Sequence, residues 1–135
     1  MEEELVFLGG EDQEKVFQAM FALKQRGPDA VAPLVALLED QEQTSILRAR
    51  IIDTLALIPH VDVMPQLIGA LEDPDVEVRI HAIGALSEIG DDRALPALER
   101  MSQNDGGILV IGGTQYIAVQ DEINEAIRLI RERGI

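Results

Sequence analysis

Apolar residues along most of the chain recur at the spacing of an α-helix. Within residues 75–90, the apolar residues that share one face of a 3.6-residue helix are Val78, Ala82, Leu86 and Ile89. Comparable patterns run through most of the remaining sequence. We therefore predict a series of short amphipathic helices, each with an apolar face that must be covered by packing against its neighbours.

The predicted helices repeat in pairs, with a period of 31–32 residues. Three stretches each contain the end of a leading helix, a turn and a second helix with an early proline: 21–40, 53–73 and 84–105. A proline in the first turn of a helix loses no hydrogen bond. Since one helical pair cannot bury its apolar face alone, we expect the pairs to stack.

Turn and capping residues mark the predicted ends of the helices. Gly27 and Gly90 stand where a helix ends in a left-handed residue. Asp73 and Pro74 are suited to the N-cap and first position of the next leading helix. When the leading helices are aligned, Arg48 falls over Arg79, and Gln120 occupies the same column in the last helix. Val16 occupies that column in the first helix.

These patterns predict one domain, residues 1–135. Its predicted parts are an N-terminal cap (1–10), unit 1 (11–43), unit 2 (44–73), unit 3 (74–105), an inserted hairpin (106–119) and a C-terminal capping helix (120–135).

Residues 72–101, EDPDVEVRIHAIGALSEIGDDRALPALERM, resemble a HEAT repeat of the short type found in phycobilisome bilin lyases. The residues that carry the resemblance are Asp73, Pro74, Asp75, Val78, Arg79, Ala82, Leu86, Ile89, Gly90, Ala94, Pro96 and Leu98. The resemblance implies an all-α fold, a short right-handed α-solenoid of about three HEAT-like helical hairpins with helical end caps. Leading helices would lie outside and second helices inside.

Residues 106–119, GGILVIGGTQYIAV, interrupt the helical pattern with two β-branched runs around a glycine turn, which predicts a β-hairpin-like loop. Asn104 and Gln120 are sixteen residues apart, whereas the aligned Asp73 and Arg79 are six apart, so about ten residues are inserted. The hairpin either caps the stacked helices or contacts a partner. Its candidate contact residues are Val110, Ile111, Tyr116 and Ile117.

Composition and charge narrow the class of partner. The chain has 11 basic and 25 acidic residues, a net charge of −14, which repels phosphate and excludes nucleic acid and anionic membranes as partners. The acidity serves either solubility alone or the attraction of a basic protein surface. Apolar residues make up 47% and aromatic residues 3%, so we expect an aliphatic core. With no cysteine, no basic leader and no long apolar run, we expect a cytoplasmic protein.

No catalytic, cofactor or metal site is predicted. His60 falls in a turn between helices and His81 on a leading helix, and neither has a second ligand at helical spacing. The serines lack the histidine and acid of a nucleophilic triad. The glycine-rich stretch lacks the lysine of a phosphate-binding loop.

Two arginines receive a structural interpretation. The resemblance implies that Arg48 and Arg79 form a ladder along the stack by bonding acidic or carbonyl groups of adjacent units. The candidate carboxylate partners are Asp40, Asp73 and Asp75. Such a pair would fix the register of the units. The alternative is that the two arginines bind an anion.

The second helices carry the candidate binding surface, which the resemblance places on the inner face. Their outward columns hold small, nearly uncharged residues together with Gln66 and Arg100, and such a surface suits a helix or loop of another protein better than catalysis. We therefore expect a non-enzymatic scaffold that binds a protein partner or itself. The alternative, implied by the same resemblance, is a bilin lyase subunit or a factor that assembles or degrades phycobilisomes.

Overall fold

A computed structural model of the protein describes residues 1–105, 107–112 and 115–134. In this part of the chain the secondary structure is predominantly helical. The helices are α1 (Glu2–Leu8), α2 (Gln13–Arg26), α3 (Val31–Glu39), α4 (Ser45–Leu57), α5 (Met64–Ala70), α6 (Val76–Ile89), α7 (Leu95–Asn104) and α8 (Val119–Arg133). Two strands, β1 (Ile108–Gly112) and β2 (Gln115–Ala118), lie between α7 and α8. The prediction of a helical fold is confirmed.

Local capping explains where several helices begin. The Asp12 carboxylate accepts hydrogen bonds from the backbone N–H groups of Glu14 and Lys15 at the start of α2. The Thr44 hydroxyl accepts one from Leu47 N–H at the start of α4. Each cap satisfies N–H groups that have no partner inside the helix.

The chain divides into two compact halves, Met1–Val63 and Met64–Ile135. In the N-terminal half, α1 packs on α2 and α3 packs on α4, while α4 also contacts α2 and α1. The core of this half is aliphatic. Its fully buried large side chains include Leu8, Leu23, Leu34, Ile51, Ile52 and Leu55. The division falls between α4 and α5, which were predicted to form one unit, residues 44–73.

In the C-terminal half, α6 lies against α5 and α8, and α8 also packs on α7. Its fully buried large side chains include Leu67, Ile83, Leu86, Leu98 and Ile123. Among the residues whose side chains are described, the buried core of both halves contains no aromatic side chain. The prediction of an aliphatic core is therefore confirmed for the described residues.

The apolar face of α6 is broader than the predicted stripe. Val78, Ala82 and Leu86 are fully buried, as expected, but Ile80 and Ile83 are buried too. Helix α6 has neighbours on more than one side, so a single stripe cannot cover its contacts. The fourth residue of the predicted stripe, at the last position of the helix, is 43% exposed.

Three local predictions around the turns have different outcomes. Gly27 has φ +65°, the positive value expected of a glycine that ends a helix. Gly90 has φ −69°, so the prediction of a left-handed residue there is wrong. Glycine is nevertheless required at that position, since a Cβ atom would lie 2.4 Å from the carbonyl oxygen of Leu86. Helix α6 begins at Val76, not at Pro74, because the Asp73 carboxylate bonds the N–H of Asp75 and holds a turn there.

The two strands pair antiparallel. Val110 lies opposite Tyr116 and Leu109 lies opposite Ile117. At the base of the pair, Val119 N–H donates to the carbonyl of Gly107 at 3.0 Å. Helix α6 contacts β1, and α8 contacts β2. The glycine-threonine turn of the predicted hairpin, residues 113–114, lies outside the described residues.

Candidate functional site

Arg79 joins two chain segments in the C-terminal half. Its Nη1 donates to the carbonyl oxygens of Asp73 and Pro74, each at 3.0 Å, in the segment that follows α5. Its Nε donates to Oδ2 of Asp105 at 2.7 Å, at the end of α7. The two side chains of this ion pair are 18% and 12% exposed. Arg79 therefore ties the ends of α5 and α7 to the start of α6.

The carboxylate partner of Arg79 was not among the predicted candidates. Asp73 contributes a backbone carbonyl to Arg79, and the carboxylate comes from Asp105. Asp73 was aligned with Asn104, whereas the equivalent residue in the structure lies one position later. The spacing from Asp105 to Gln120 is fifteen residues, so the insertion is nine residues long by this register.

A repeated turn could have identified Asp105. The Oδ1 atoms of Asp40, Asp73 and Asp105 each accept a hydrogen bond from the backbone N–H two residues later, at 3.0, 2.9 and 2.8 Å. This is the local turn that aspartate favours. All three residues follow the last turn of a second helix, so a search for aspartate at these positions would have found the third copy.

Arg48 has the corresponding position in the N-terminal half. It is 1% exposed, and its Nε donates to the carbonyl of Leu38 at 3.0 Å, near the end of α3. Asp40 lies close enough to feel its charge. Hydrogen bonds from the Gln43 side chain and from Glu42 N–H, together with the charge of Arg48, hold the pKa of Asp40 below its ordinary value. Asp40 is therefore ionised at neutral pH.

Gln120 continues the backbone part of this arrangement. Its Nε2 donates to the carbonyl oxygens of Ser102 and Asp105, at 2.5 and 2.7 Å, at the end of α7. Arg48, Arg79 and Gln120 occupy one column of the repeat alignment, and each donates to backbone carbonyls at or just beyond the end of the preceding second helix. Carbonyls in this position have no amide donor from a continuing helix, so a side-chain donor satisfies them.

Two arginines outside the column also donate to backbone carbonyls near the ends of helices, and neither was predicted to do so. Arg50 donates to the carbonyls of Leu8 and Gly10 at 2.8 and 2.6 Å, beyond the end of α1. Arg133 donates to the carbonyl of Leu86 at 2.9 Å near the end of α6. No motif in the sequence marks either residue, because the two partners of each bond are about forty residues apart or more.

Arg100 lines a cleft of about 480 Å³ in the C-terminal half. Arg79, Asp105 and Met101 also line it, together with the exposed Glu72. Within the described part of the chain, Arg100 is the one arginine whose guanidinium has no hydrogen-bond acceptor. The cleft therefore contains one arginine held by carbonyl and carboxylate groups and one that is available to a partner.

The structure places the other candidate contact residues elsewhere. Gln66 lies on α5, half-buried, and does not line the cleft. Its Oε1 is buried, and no described residue donates a hydrogen bond to it. The backbone of the other four candidates forms the β1–β2 pair, and their side chains lie outside what the structure describes: Val110, Ile111, Tyr116 and Ile117.

In the described residues, no group of three or more histidine or acidic side chains is placed to hold a metal ion. His60 lies exposed in the turn between α4 and α5, and its φ of 63° is unusual for a residue other than glycine. No helix within the described ranges is both long enough and apolar enough to span a bilayer.

Comparison with known families gives one match. A family model of HEAT repeats matches residues 31–112, which include α3 to α7 and β1. No significant match was found among curated proteins or among solved structures.

Proposed function

Because the chain belongs to the HEAT-repeat family, we propose that it is a non-enzymatic scaffold that binds another protein. The supporting observation is how its arginines are used. Arg48 and Arg79 are held by carbonyl and carboxylate groups that fix the helices, whereas Arg100 has no acceptor among the described residues. An arginine that is not held internally is a common anchor in protein interfaces.

The proposal includes the shape and the inner binding surface. About three helical hairpins stack into a short right-handed solenoid within one domain, with second helices on the inner face. Gln66 and Arg100 contribute to that face. The proposed ladder of Arg48 and Arg79 fixes the stacking register. The hydrogen bonds of both arginines to backbone carbonyls support this structural function over anion binding. Small-angle scattering tests the shape, because a globule of the same length gives a smaller radius of gyration.

The binding function is tested by partner capture from a native lysate. Arg100→Ala should reduce the capture of the partner. The matched control is Arg128→Ala on α8, since the Arg128 side chain is exposed and pairs with Glu125 and Glu132 of the same helix. No captured protein, or equal capture by both variants and the unmodified protein, contradicts the proposed inner surface.

The hairpin is proposed as a contact element of the same scaffold, with a structural cap as the competing interpretation. Deletion of residues 109–117 removes nine residues and restores the spacing between Asp105 and Gln120 to six. A contact element predicts an unchanged melting temperature and lost capture. A cap predicts a lower melting temperature, since each large apolar side chain uncovered costs about 1.5–3 kcal/mol.

The location and the excluded partners complete the proposal. We infer a cytoplasmic protein that does not bind nucleic acid, because its net charge is −14 and the chain has no cysteine. Cell fractionation tests the location. The similarity of residues 72–101 to the bilin lyase type stays a prediction, and mixing with bilin tests it through a change in visible absorption.

A further inference from the structure

The N-terminal half has a groove of about 550 Å³ between α1, the end of α3 and the start of α4. Its apolar lining comes from Leu5, Val6, Leu37 and Leu47. Val6 is 72% exposed, more than any other large apolar residue whose exposure is described. Clefts of 300–1,000 Å³ with mainly apolar linings are typical binding sites in proteins.

The segments that form the walls of the groove are strongly acidic. Residues 1–10 and 37–47 contain six carboxylates and no lysine or arginine: Glu2, Glu3, Glu4, Glu39, Asp40 and Glu42. Glu2 itself lines the groove. An apolar groove with one carboxylate in its lining and five more in the segments that form it attracts a ligand that is both apolar and cationic.

Two arginines of this half donate to backbone carbonyls. Arg48 is buried and bonds the carbonyl of Leu38, and Arg50 is half-buried and bonds the carbonyls of Leu8 and Gly10. Among the described residues, Glu4 pairs with Arg26 at 2.8 Å, and Asp40 lies close enough to Arg48 for its pKa to be lowered by that charge. The segments that form the groove therefore keep most of their negative charge.

We propose that this groove binds a basic amphipathic helical segment of a partner protein. The apolar side chains of the partner segment contact Leu5, Val6 and Leu37. Its lysines or arginines interact with Glu2 and the other carboxylates of the segments that form the groove. This is the recognition mode in which an amphipathic helix places its apolar face in a groove. A second copy of the chain is a poorer occupant, because two chains of charge −14 repel each other.

The inference rests on the proposed scaffold function but adds a different surface and a defined ligand chemistry. The inner-face residue Arg100 lies in the C-terminal half and does not line this groove. A failure of one surface is therefore distinguishable from a failure of the other.

The test uses the full chain and two synthetic helical peptides. Both peptides place leucines at i, i+3, i+4 and i+7, and the remaining positions are lysine in one and glutamate in the other. Fluorescence anisotropy at physiological salt measures binding. The lysine peptide should bind, more weakly as salt increases, and the glutamate peptide should not.

Two matched substitutions separate the groove from diffuse charge attraction. Val6→Gln removes an exposed apolar side chain from the groove and should weaken the lysine peptide by about tenfold, as for an anchor residue in an interface. Ile89→Gln makes the same kind of change at a residue that is 43% exposed on α6, and should alter binding by less than about twofold. Circular dichroism confirms that both variants fold.

Three results would overturn the inference: no binding of the lysine peptide, equal effects of the two substitutions, or self-association that Val6→Gln abolishes. The last result would identify a second copy as the occupant. If the natural partner is captured and Val6→Gln leaves its capture unchanged, the scaffold function stands and the groove inference is wrong. If the lysine peptide binds at the groove and Arg100→Ala leaves the capture of the partner unchanged, the groove inference is retained and the proposed inner surface is wrong.

Discussion

Replacement of Arg79 by alanine tests whether the bonds of this arginine stabilise the C-terminal half. The substitution removes two hydrogen bonds to the carbonyls of Asp73 and Pro74 and the ion pair with Asp105. The Asp105 carboxylate is only 12% exposed, so water replaces the lost donors incompletely. After the substitution, the Asp105 carboxylate still accepts a hydrogen bond from Gly107 N–H.

The expected loss follows from the burial of the groups left behind. A buried polar group without its partner costs about 1–3 kcal/mol, and a charged one costs more. The two carbonyls lie in the segment that follows α5 and regain water more easily than the carboxylate. We therefore expect Arg79→Ala to lower the free energy of unfolding by about 2 kcal/mol. Arg79→Lys should lose about half as much, because lysine keeps the charge but not the planar set of donors.

Urea denaturation monitored by circular dichroism measures the effect. The control is Arg100→Ala, which removes an exposed arginine of the same cleft that has no acceptor among the described residues, and should change stability by less than about 0.5 kcal/mol. A double-mutant cycle between Arg79→Ala and Asp105→Ala should give a coupling energy of about 1–2 kcal/mol. Equal losses in Arg79→Ala and Arg100→Ala, or a coupling energy near zero, would refute the structural interpretation of Arg79.

Three further predictions concern the turns and one surface ion pair. Gly90→Ala should lower stability by about 1–3 kcal/mol, since its Cβ would lie 2.4 Å from a backbone oxygen, whereas Gly84→Ala, with open space around it inside α6, should raise stability by up to about 1 kcal/mol in urea denaturation. His60→Val should lower the melting temperature and His60→Gly should not, because φ is 63° and a β-branched residue is strained there. The hydrogen bond from Arg26 lowers the pKa of Glu4 from 4.5 to about 2. A depressed carboxyl pKa stabilises the fold above the unfolded value, so the stability difference between Arg26→Gln and the unmodified protein should shrink as the pH falls from about 4.5 towards 2 in a pH series of melts.

The helical fold and its repeat were predictable because local sequence determines them. Apolar spacing, early prolines and turn residues all act within one or two helical turns, and each points to the same short helices. The alignment also placed Arg48, Arg79 and Gln120 in one column. Arg79 and Gln120 donate to the equivalent carbonyls of Asp73 and Asp105, and Arg48 donates to a carbonyl two residues before the equivalent position. Equivalent positions in successive repeats have similar neighbours, so the alignment of the repeats predicts similar contacts for the aligned residues.

The missed residues depend on contacts that the repeat does not encode. Asp105 was one position out of alignment because the insertion follows directly after it and obscures the end of the repeat. The bonds of Arg50 and Arg133 join segments about forty residues apart or more, and no local signal marks them. The predicted conformation of Gly90 was wrong for a related reason. Glycine is required at this position because the preceding helical turn lies too close for a Cβ atom, and not because φ is positive.

The positions of the arginines affect how much negative charge remains on the surface of the protein. The chain has only 11 lysines and arginines, and four arginines donate to backbone carbonyls near the ends of helices: Arg48, Arg50, Arg79 and Arg133. Positive charge at the carboxyl end of a helix stabilises that end. It is then less available to neutralise the carboxylates on the surface, so the exterior carries more of the net charge of −14 than an even distribution would leave there. Such a distribution of charge would favour basic partners for the proposed scaffold. With these arginines at helix ends, the segments that form the groove of α1 contain carboxylates but no lysine or arginine.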